Sequence, residues 1–197
     1  MNSYLRRLSS CPPADKVLEH LAMTNPKLIV LSFHVDYWNK LGWKDLYNSA
    51  QYTQRRRIYA ATTQGNGVYT PHAIVNGSAH FIGSEEHKIK KQIEKQFSSG
   101  PSKPIVLGAI LQERTITISY SSGKSDNEIL NIALLQKYGQ SQTTAGENRG
   151  SNLGHINIVR AFGSSIEKQG TLKLELPKEL DQMDCVIVGF TQQKEGM

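Results

Sequence analysis

Cysteine is scarce in this sequence, which contains only Cys11 and Cys185 among its 197 residues. Two cysteines exclude a disulfide-dense scaffold and a four-cysteine zinc site. They leave open one alternative, a single disulfide bond between Cys11 and Cys185. The chain also lacks an apolar run long enough to cross a bilayer. These absences predict a globular protein of one or two domains without a membrane span.

Acidic side chains are outnumbered by basic ones, since 17 Asp and Glu residues face 23 Lys and Arg residues and the formal net charge is +6 at pH 7. The basic residues are scattered except for the arginines at 55–57 and the lysines at 88, 90 and 91. Both clusters fall in helical patterns, where a run of charge is usually a solvated face. We therefore expect no nucleic-acid partner.

Cys11 stands at the start of a predicted helix that covers residues 12–23. Pro12 and Pro13 suit a first turn, because the amide donors there have no partner within the helix, and apolar residues follow at helical spacing. The positive end of a helix stabilises a thiolate and lowers the pKa of a thiol below its free value of about 8.5. Cys11 is therefore a candidate reactive thiol, and the alternative is an inert, partly buried small residue.

An apolar run at residues 28–33 predicts a strand that is buried on both faces and has a parallel neighbour. A polar and aromatic loop follows at residues 34–43 and contains both tryptophans of the chain. Open α/β sheets place their sites where parallel strands end. The candidate substrate-binding residues in this loop are His34, Asp36, Trp38 and Trp43.

Three further elements are predicted before residue 98: a helix at about 50–63, a hairpin turning at Asn76-Gly77 and a helix that runs to about Phe97. The order helix, parallel strand, helix, antiparallel hairpin, helix is that of a thioredoxin-like fold without its first strand. In such a sheet Cys11, the loop at 34–43 and Thr70-Pro71 open on one edge.

The chain changes character after a linker-like segment at residues 99–104, which is rich in serine, glycine and proline. Residues 115–120 alternate between polar and apolar, and several further short strand patterns follow with almost no helical periodicity. We therefore predict an α/β protein with a thioredoxin-like domain at 1–98, a linker at 99–104 and a β-rich antiparallel region at 105–197. Cys185 is expected to be a core residue of that region.

Six motifs resemble the bacterial, thioredoxin-like family called domain of unknown function 1223, and they cover nearly the whole chain. They are Ser-Ser-Cys-Pro-Pro-Ala-Asp at 9–15, His-Val-Asp-Tyr-Trp at 34–38, Leu-Gly-Trp-Lys-Asp at 41–45, Tyr-Thr-Pro at 69–71, Val-Asn-Gly at 75–77 and Gly-Glu-Asn-Arg-Gly at 146–150. The resemblance implies a thioredoxin-like core with an appended β-rich region and no assigned activity. It also makes Pro71 the cis-proline that faces the active cysteine.

The chain departs from the family pattern before Cys11. That pattern reads Gly-Cys-Ser-Ser-Cys-Pro-Pro after an apolar strand, whereas Leu8 stands here at the first cysteine's position and residues 1–7 show no strand pattern. Without that central strand, the inner edges of its two neighbouring strands would lack backbone partners. Each buried unpaired N–H or C=O group would lower the stability of the fold by about 1–3 kcal/mol. The sequence thus predicts either a start later than the functional one or weak pairing of the residues before Cys11.

The family resemblance and the chain's own N-terminal sequence predict different cellular locations. Relatives in the family are usually exported, which implies a periplasmic or secreted protein. Residues 1–10 have no apolar segment and no cleavage site of a secretory signal, so the chain as written is expected to be cytoplasmic.

Thiol–disulfide chemistry is the first functional hypothesis, with Cys11 as the redox sulfur and Pro71 shaping the partner groove. A Cys-x-x-Cys pair attacks with its first thiol and resolves the mixed disulfide with its second. This chain keeps only the second, so a thiol–disulfide oxidoreductase here would use a monothiol mechanism. Its partners would be a protein or small-molecule thiol or disulfide such as glutathione, and no cofactor is predicted.

Two alternatives come from other classes of protein. One is a copper- or zinc-binding module, because thiolate and imidazole suit copper(I) and zinc. Its ligands would be Cys11, His34, Asp36 and His72. The other is a non-catalytic protein- or peptide-binding module, because aromatic residues are favoured interface anchors. Its surface would be formed by Tyr37, Trp38 and Trp43.

Overall fold

The computed structural model describes residues 2–4, 11–36, 45–62, 71–77, 79–98, 103–142, 150 and 152–194, without the side chains of residues 2–4, 11 and 62. The first seven elements are β1 (Asn2–Tyr4), α1 (Cys11–Thr24), β2 (Ser32–His34), α2 (Ala50–Thr62), β3 (His72–Val75), β4 (Ala79–Ile82) and α3 (Glu86–Phe97). The later strands are β5 (Ile105–Gln112), β6 (Thr115–Ser122), β7 (Glu128–Gln142), β8 (Asn152–Ser165), β9 (Gln169–Glu175) and β10 (Cys185–Gln193). The chain is therefore of the α/β class, as predicted. Among its described helices, none is long and apolar enough to cross a membrane.

The chain divides into two compact units. The N-terminal unit contains Met1–Ser99 and Tyr138–Ile158, and the β-rich unit contains Gly100–Lys137 and Val159–Met197. The division after Ser99 falls at the start of the predicted linker. The segment 138–158 differs from the prediction, because it belongs to the N-terminal unit rather than to the C-terminal region. Its Ile158 pairs with Ser32 of β2, which adds β8 to the N-terminal sheet as a parallel strand.

The N-terminal unit contains a mixed sheet in the order β8-β2-β1-β3-β4. Strand β2 is shorter than the predicted run at 28–33 and begins at Ser32, although it has the parallel neighbours expected of it. The β3-β4 hairpin turns where predicted. Asn76 has φ 46° and Gly77 has φ 69°, and both values lie in the left-handed region that asparagine and glycine tolerate.

A central strand precedes Cys11, where the sequence predicts none. Strand β1 runs parallel to β2 and antiparallel to β3, and Asn2 is paired with both Ser32 and Ala73. A three-residue strand between two neighbours is specified by backbone hydrogen bonds, so it leaves no apolar periodicity to detect. The inner edges of β2 and β3 are thus paired at these positions.

The register of β1 assigns side chains to the two faces of the sheet. Phe33 and His72 both pair with Ser3 and therefore share one face, while Ser32 and Ala73 both pair with Asn2 and share the other. Helix α2 covers the first face, where the rings of Tyr52 and Phe33 meet at 5.2 Å. Helices α1 and α3 cover the second face. Their shared core cluster contains Leu21, Ala73, Ile89 and Ile93.

The β-rich unit is antiparallel, as predicted. It contains a three-stranded sheet in the order β5-β6-β9, and β10 pairs with β7. The alternation at 115–120 buries one face of β6 against β7. That core contains Ile116, Ile118, Tyr120, Leu130, Ile132 and Leu134. Cys185 packs against this core but is only half-buried, and its thiol donates to the Asp181 carbonyl oxygen at 3.1 Å.

The burial of β6 predicts the effect of shortening one side chain. Ile118 is 0% exposed, so Ile118→Ala should lower the free energy of unfolding by about 2–5 kcal/mol through lost contacts and a residual cavity. Ile110, on neighbouring β5, is 65% exposed, and Ile110→Ala should cost less than about 0.5 kcal/mol. Urea unfolding of both variants measures the difference, and equal losses would contradict the assigned core.

Candidate functional site

His34 is fully buried at the end of β2. It is 0% exposed, and its Nδ1 lies 2.7 Å from Oδ2 of Asp45. The other carboxylate oxygen of Asp45 accepts the backbone N–H of Tyr47 at 3.0 Å. Because a carboxylate only accepts hydrogen bonds, Nδ1 of His34 is the donor. Asp45 therefore fixes both the tautomer and the orientation of the imidazole.

A second histidine–carboxylate pair lies against the first. His155 of β8 is 2% exposed, and its Nδ1 lies 3.4 Å from Oδ1 of Asp15 on α1. The rings of His155 and His34 meet edge to face with centroids 5.4 Å apart. Tyr47 contacts both rings, at 5.5 Å from His34 and 6.4 Å from His155. We call these four residues, together with Asp45, the histidine cluster.

The first turn of α1 packs beside Pro71. The Gly83 N–H donates to the Pro71 carbonyl oxygen at 2.9 Å. A Cβ on Gly83 would lie 2.9 Å from Cβ of Ala14 and 3.0 Å from Cβ of Pro71, so both residues contact the glycine closely. Ala14 comes three residues after Cys11, the first residue of α1. The start of this helix and Pro71 therefore lie in adjacent elements at one edge of the sheet.

The structure describes only some of the remaining predicted site residues. Trp38, Trp43 and Thr70 lie outside the described residues, and so does the side chain of Cys11. The Asp36 carboxylate accepts the Thr53 hydroxyl at 2.6 Å, and the Asp36 N–H donates to the same hydroxyl at 3.0 Å. These two bonds attach the end of β2 to α2, which is a structural role.

His72 lies on the opposite face of the sheet from His34. Its Nε2 is 3.0 Å from Nδ1 of His80, and the two rings stack with centroids 5.0 Å apart. The predicted metal ligands His34 and His72 are thus separated by the sheet. In the part of the chain that the structure describes, no group of three or more His, Cys, Asp or Glu side chains could hold a metal ion.

The positive charge of Arg56 disfavours the protonated forms of His72 and His80. The run at 55–57 is predicted to be a solvated face, but Arg56 is only 4% exposed, and Arg55 lies over the rings of Phe33 and Tyr59. Burial, followed by the positive charge of Arg56, lowers the pKa of His72 to about 3. The same two causes lower the pKa of His80. Both imidazoles are therefore neutral at pH 7.

Sequence reasoning missed most of the histidine cluster. Of its five members only His34 is a predicted site residue. A signal was present for two others, because Asp15 and Asp45 end two of the family-like motifs. Nothing local marked His155, which is separated from Asp15 by 140 positions and meets it only in the folded sheet.

The fold and the site together define an α/β protein with a βαβαββα N-terminal unit, a cysteine at the start of its first helix and two histidine–carboxylate pairs whose imidazoles are buried. The chain belongs to the family described as "Protein of unknown function (DUF1223)", whose model matches residues 8–192. The predicted resemblance to this family is thereby confirmed.

A solved structure is similar to this chain over most of its length. It is the X-ray crystal structure of protein AGR_C_4864 from Agrobacterium tumefaciens, with 25% sequence identity and a TM-score of 0.65. The similarity covers 88% of this chain and 76% of that chain. No curated protein matches the sequence. These comparisons establish family and fold, and they assign no activity.

The lowered pKa of His72 predicts a loss of stability in acid. The unfolded chain protonates histidine below about pH 6.5, whereas folded His72 stays neutral down to a pKa of about 3. This contribution to stability is complete above about pH 6.5 and declines as the pH falls, by up to about 1.4 kcal/mol per pH unit. His72→Gln should flatten the dependence measured by urea unfolding between these limits. His87→Gln, at an exposed site on α3, should keep the wild-type slope, and equal slopes for all three proteins would refute the account.

The close approach at Gly83 predicts a cost for one added methyl group. Gly83→Ala should destabilise the protein by about 1–3 kcal/mol, because Ala14 and Pro71 belong to packed elements and cannot both withdraw. Ser84→Ala, at the exposed next residue, should change stability by less than about 0.5 kcal/mol. Thermal unfolding of the two variants measures both values, and a Gly83→Ala protein as stable as wild type would argue against this packing.

Proposed function

We propose that this protein carries out thiol–disulfide exchange by a monothiol mechanism in which Cys11 is the reacting sulfur. The observation that carries the proposal is the start of α1 at Cys11, with its first turn packed against Gly83 beside Pro71. The unpaired N–H groups and the dipole at a helix N-terminus favour a thiolate over a thiol. A thiolate is the nucleophile of disulfide exchange, so this position suits the chemistry.

The element order supports a thioredoxin-like interpretation of the N-terminal unit. Strand β1 lies between parallel β2 and antiparallel β3, and Pro71 directly precedes β3. We assign Pro71 the role of shaping the groove in which the partner's backbone lies. The aromatic residues predicted to bind the substrate, and an exported location, stay predictions.

The exchange has two steps, and each conserves atoms and electrons. In the first, the Cys11 thiolate attacks a mixed disulfide of glutathione and a protein or small thiol. The sulfur–sulfur bond to Cys11 forms as the old one breaks, and the partner's sulfur departs with the electron pair of the old bond. In the second, glutathione thiolate attacks the Cys11–glutathione disulfide, which releases oxidised glutathione and restores Cys11. The external thiol is required because Leu8 stands where the family pattern has its first cysteine.

The metal-binding alternative is less well supported by the geometry. Two of its four predicted ligands, His34 and His72, lie on opposite faces of the sheet, and Asp36 is bonded to Thr53. A soft-metal site would have to recruit other ligands. Thiol chemistry needs only Cys11 and the helix that carries it.

The proposal predicts different reactivities for the two cysteines. Cys11 should be alkylated by iodoacetamide with a pH midpoint below about 8.5 and should form a mixed disulfide with oxidised glutathione. Burial, followed by the nearby Asp184 carboxylate, raises the pKa of the Cys185 thiol, so that residue should react later. Peptide mass spectrometry assigns each adduct to its cysteine.

Matched serine variants separate the two thiols in the same experiment. Cys185→Ser should keep the fast reaction and the glutathione adduct, whereas Cys11→Ser should lose both. A folded Cys185→Ser protein that resists alkylation at neutral pH would eliminate the redox proposal.

A further inference from the structure

The segment 138–158 brings a histidine to the helix that begins at Cys11. His155 belongs to β8, an addition to the βαβαββα elements, and its Nδ1 lies 3.4 Å from Oδ1 of Asp15. Asp15 is four residues beyond Cys11, and residues at this spacing share one face of a helix, with Cβ atoms about 5–6 Å apart. A buried imidazole is therefore supported by the carboxylate one turn from the cysteine.

We propose that the Asp15–His155 pair is the acid–base group of the exchange reaction at Cys11. This inference rests on the proposed function. When the Cys11 S–H bond breaks, the proton passes to the pair and leaves a protonated His155 against the Asp15 carboxylate. After the thiolate attacks the mixed disulfide, the pair returns the proton to the departing thiolate, which leaves as a neutral thiol.

The surroundings of His155 suit a group that gains and loses a proton. Among the described residues, His34, which carries Asp45 on its Nδ1, and the Tyr47 ring also contact His155. Asp45 and both imidazoles are buried and the Asp15 side chain is 13% exposed, so their charges interact more strongly than in water. An opposite charge nearby favours the charged form of an ionisable group, and the Asp15 carboxylate is the charge that Nδ1 of His155 faces.

The test compares the pH dependence of Cys11 alkylation in the full chain carrying Cys185→Ser with further variants of that protein. His155→Gln should raise the midpoint of the rate profile by about one pH unit, a roughly tenfold slower reaction at pH 7. Asp15→Asn should shift it in the same direction. His20→Gln and Glu19→Gln, at exposed positions of α1, are the matched controls and should leave the midpoint unchanged.

A second measurement avoids variants that fail to fold. The titration of His155 is followed by nuclear magnetic resonance before and after Cys11 is capped with iodoacetamide. Capping removes the thiolate charge, so the midpoint of His155 should fall. Folded His155→Gln protein with the wild-type profile, or a His155 titration that ignores capping, would overturn the pairing while leaving the monothiol proposal intact. Absence of any Cys11 reaction in the Cys185→Ser parent protein would instead remove the proposed function itself.

Discussion

The contact of α1 with Gly83 and Pro71 is the constraint on which the site depends. Only a residue without a Cβ lets Ala14 and Pro71 approach the same backbone position, since a Cβ there would stand about 3 Å from both. This packing places the first turn of the helix beside the residue that precedes β3. The sulfur chemistry that we propose follows from that placement, because the helix end supplies the positive potential and Pro71 borders the same edge.

The second determinant of the site comes from a distant part of the chain. The segment 138–158 joins the N-terminal unit through the Ser32–Ile158 pairing and inserts His155 next to Asp15. This gives the added strand a chemical role besides extending the sheet. It also explains why two buried imidazoles, His34 and His155, lie in contact on the face that α1 covers.

The sequence predicted those elements that are specified by residues within the element itself. The prolines after Cys11 marked the start of α1, Asn76-Gly77 marked the hairpin, and alternation marked β6. Strand β1 was missed because backbone pairing on both sides, rather than an apolar pattern, specifies it. The burial of Arg56 and the meeting of His155 with Asp15 were missed because both arise from tertiary packing, and periodicity within one segment carries no information about them.

The central claim is that the position of Cys11 makes its thiol acidic. The most direct measurement is the ultraviolet absorbance of the thiolate as a function of pH in the folded Cys185→Ser protein, which has a single thiol. The account predicts a midpoint below the free-cysteine value of about 8.5. A midpoint at or above that value would show that the start of α1 does not activate this sulfur and would contradict the account.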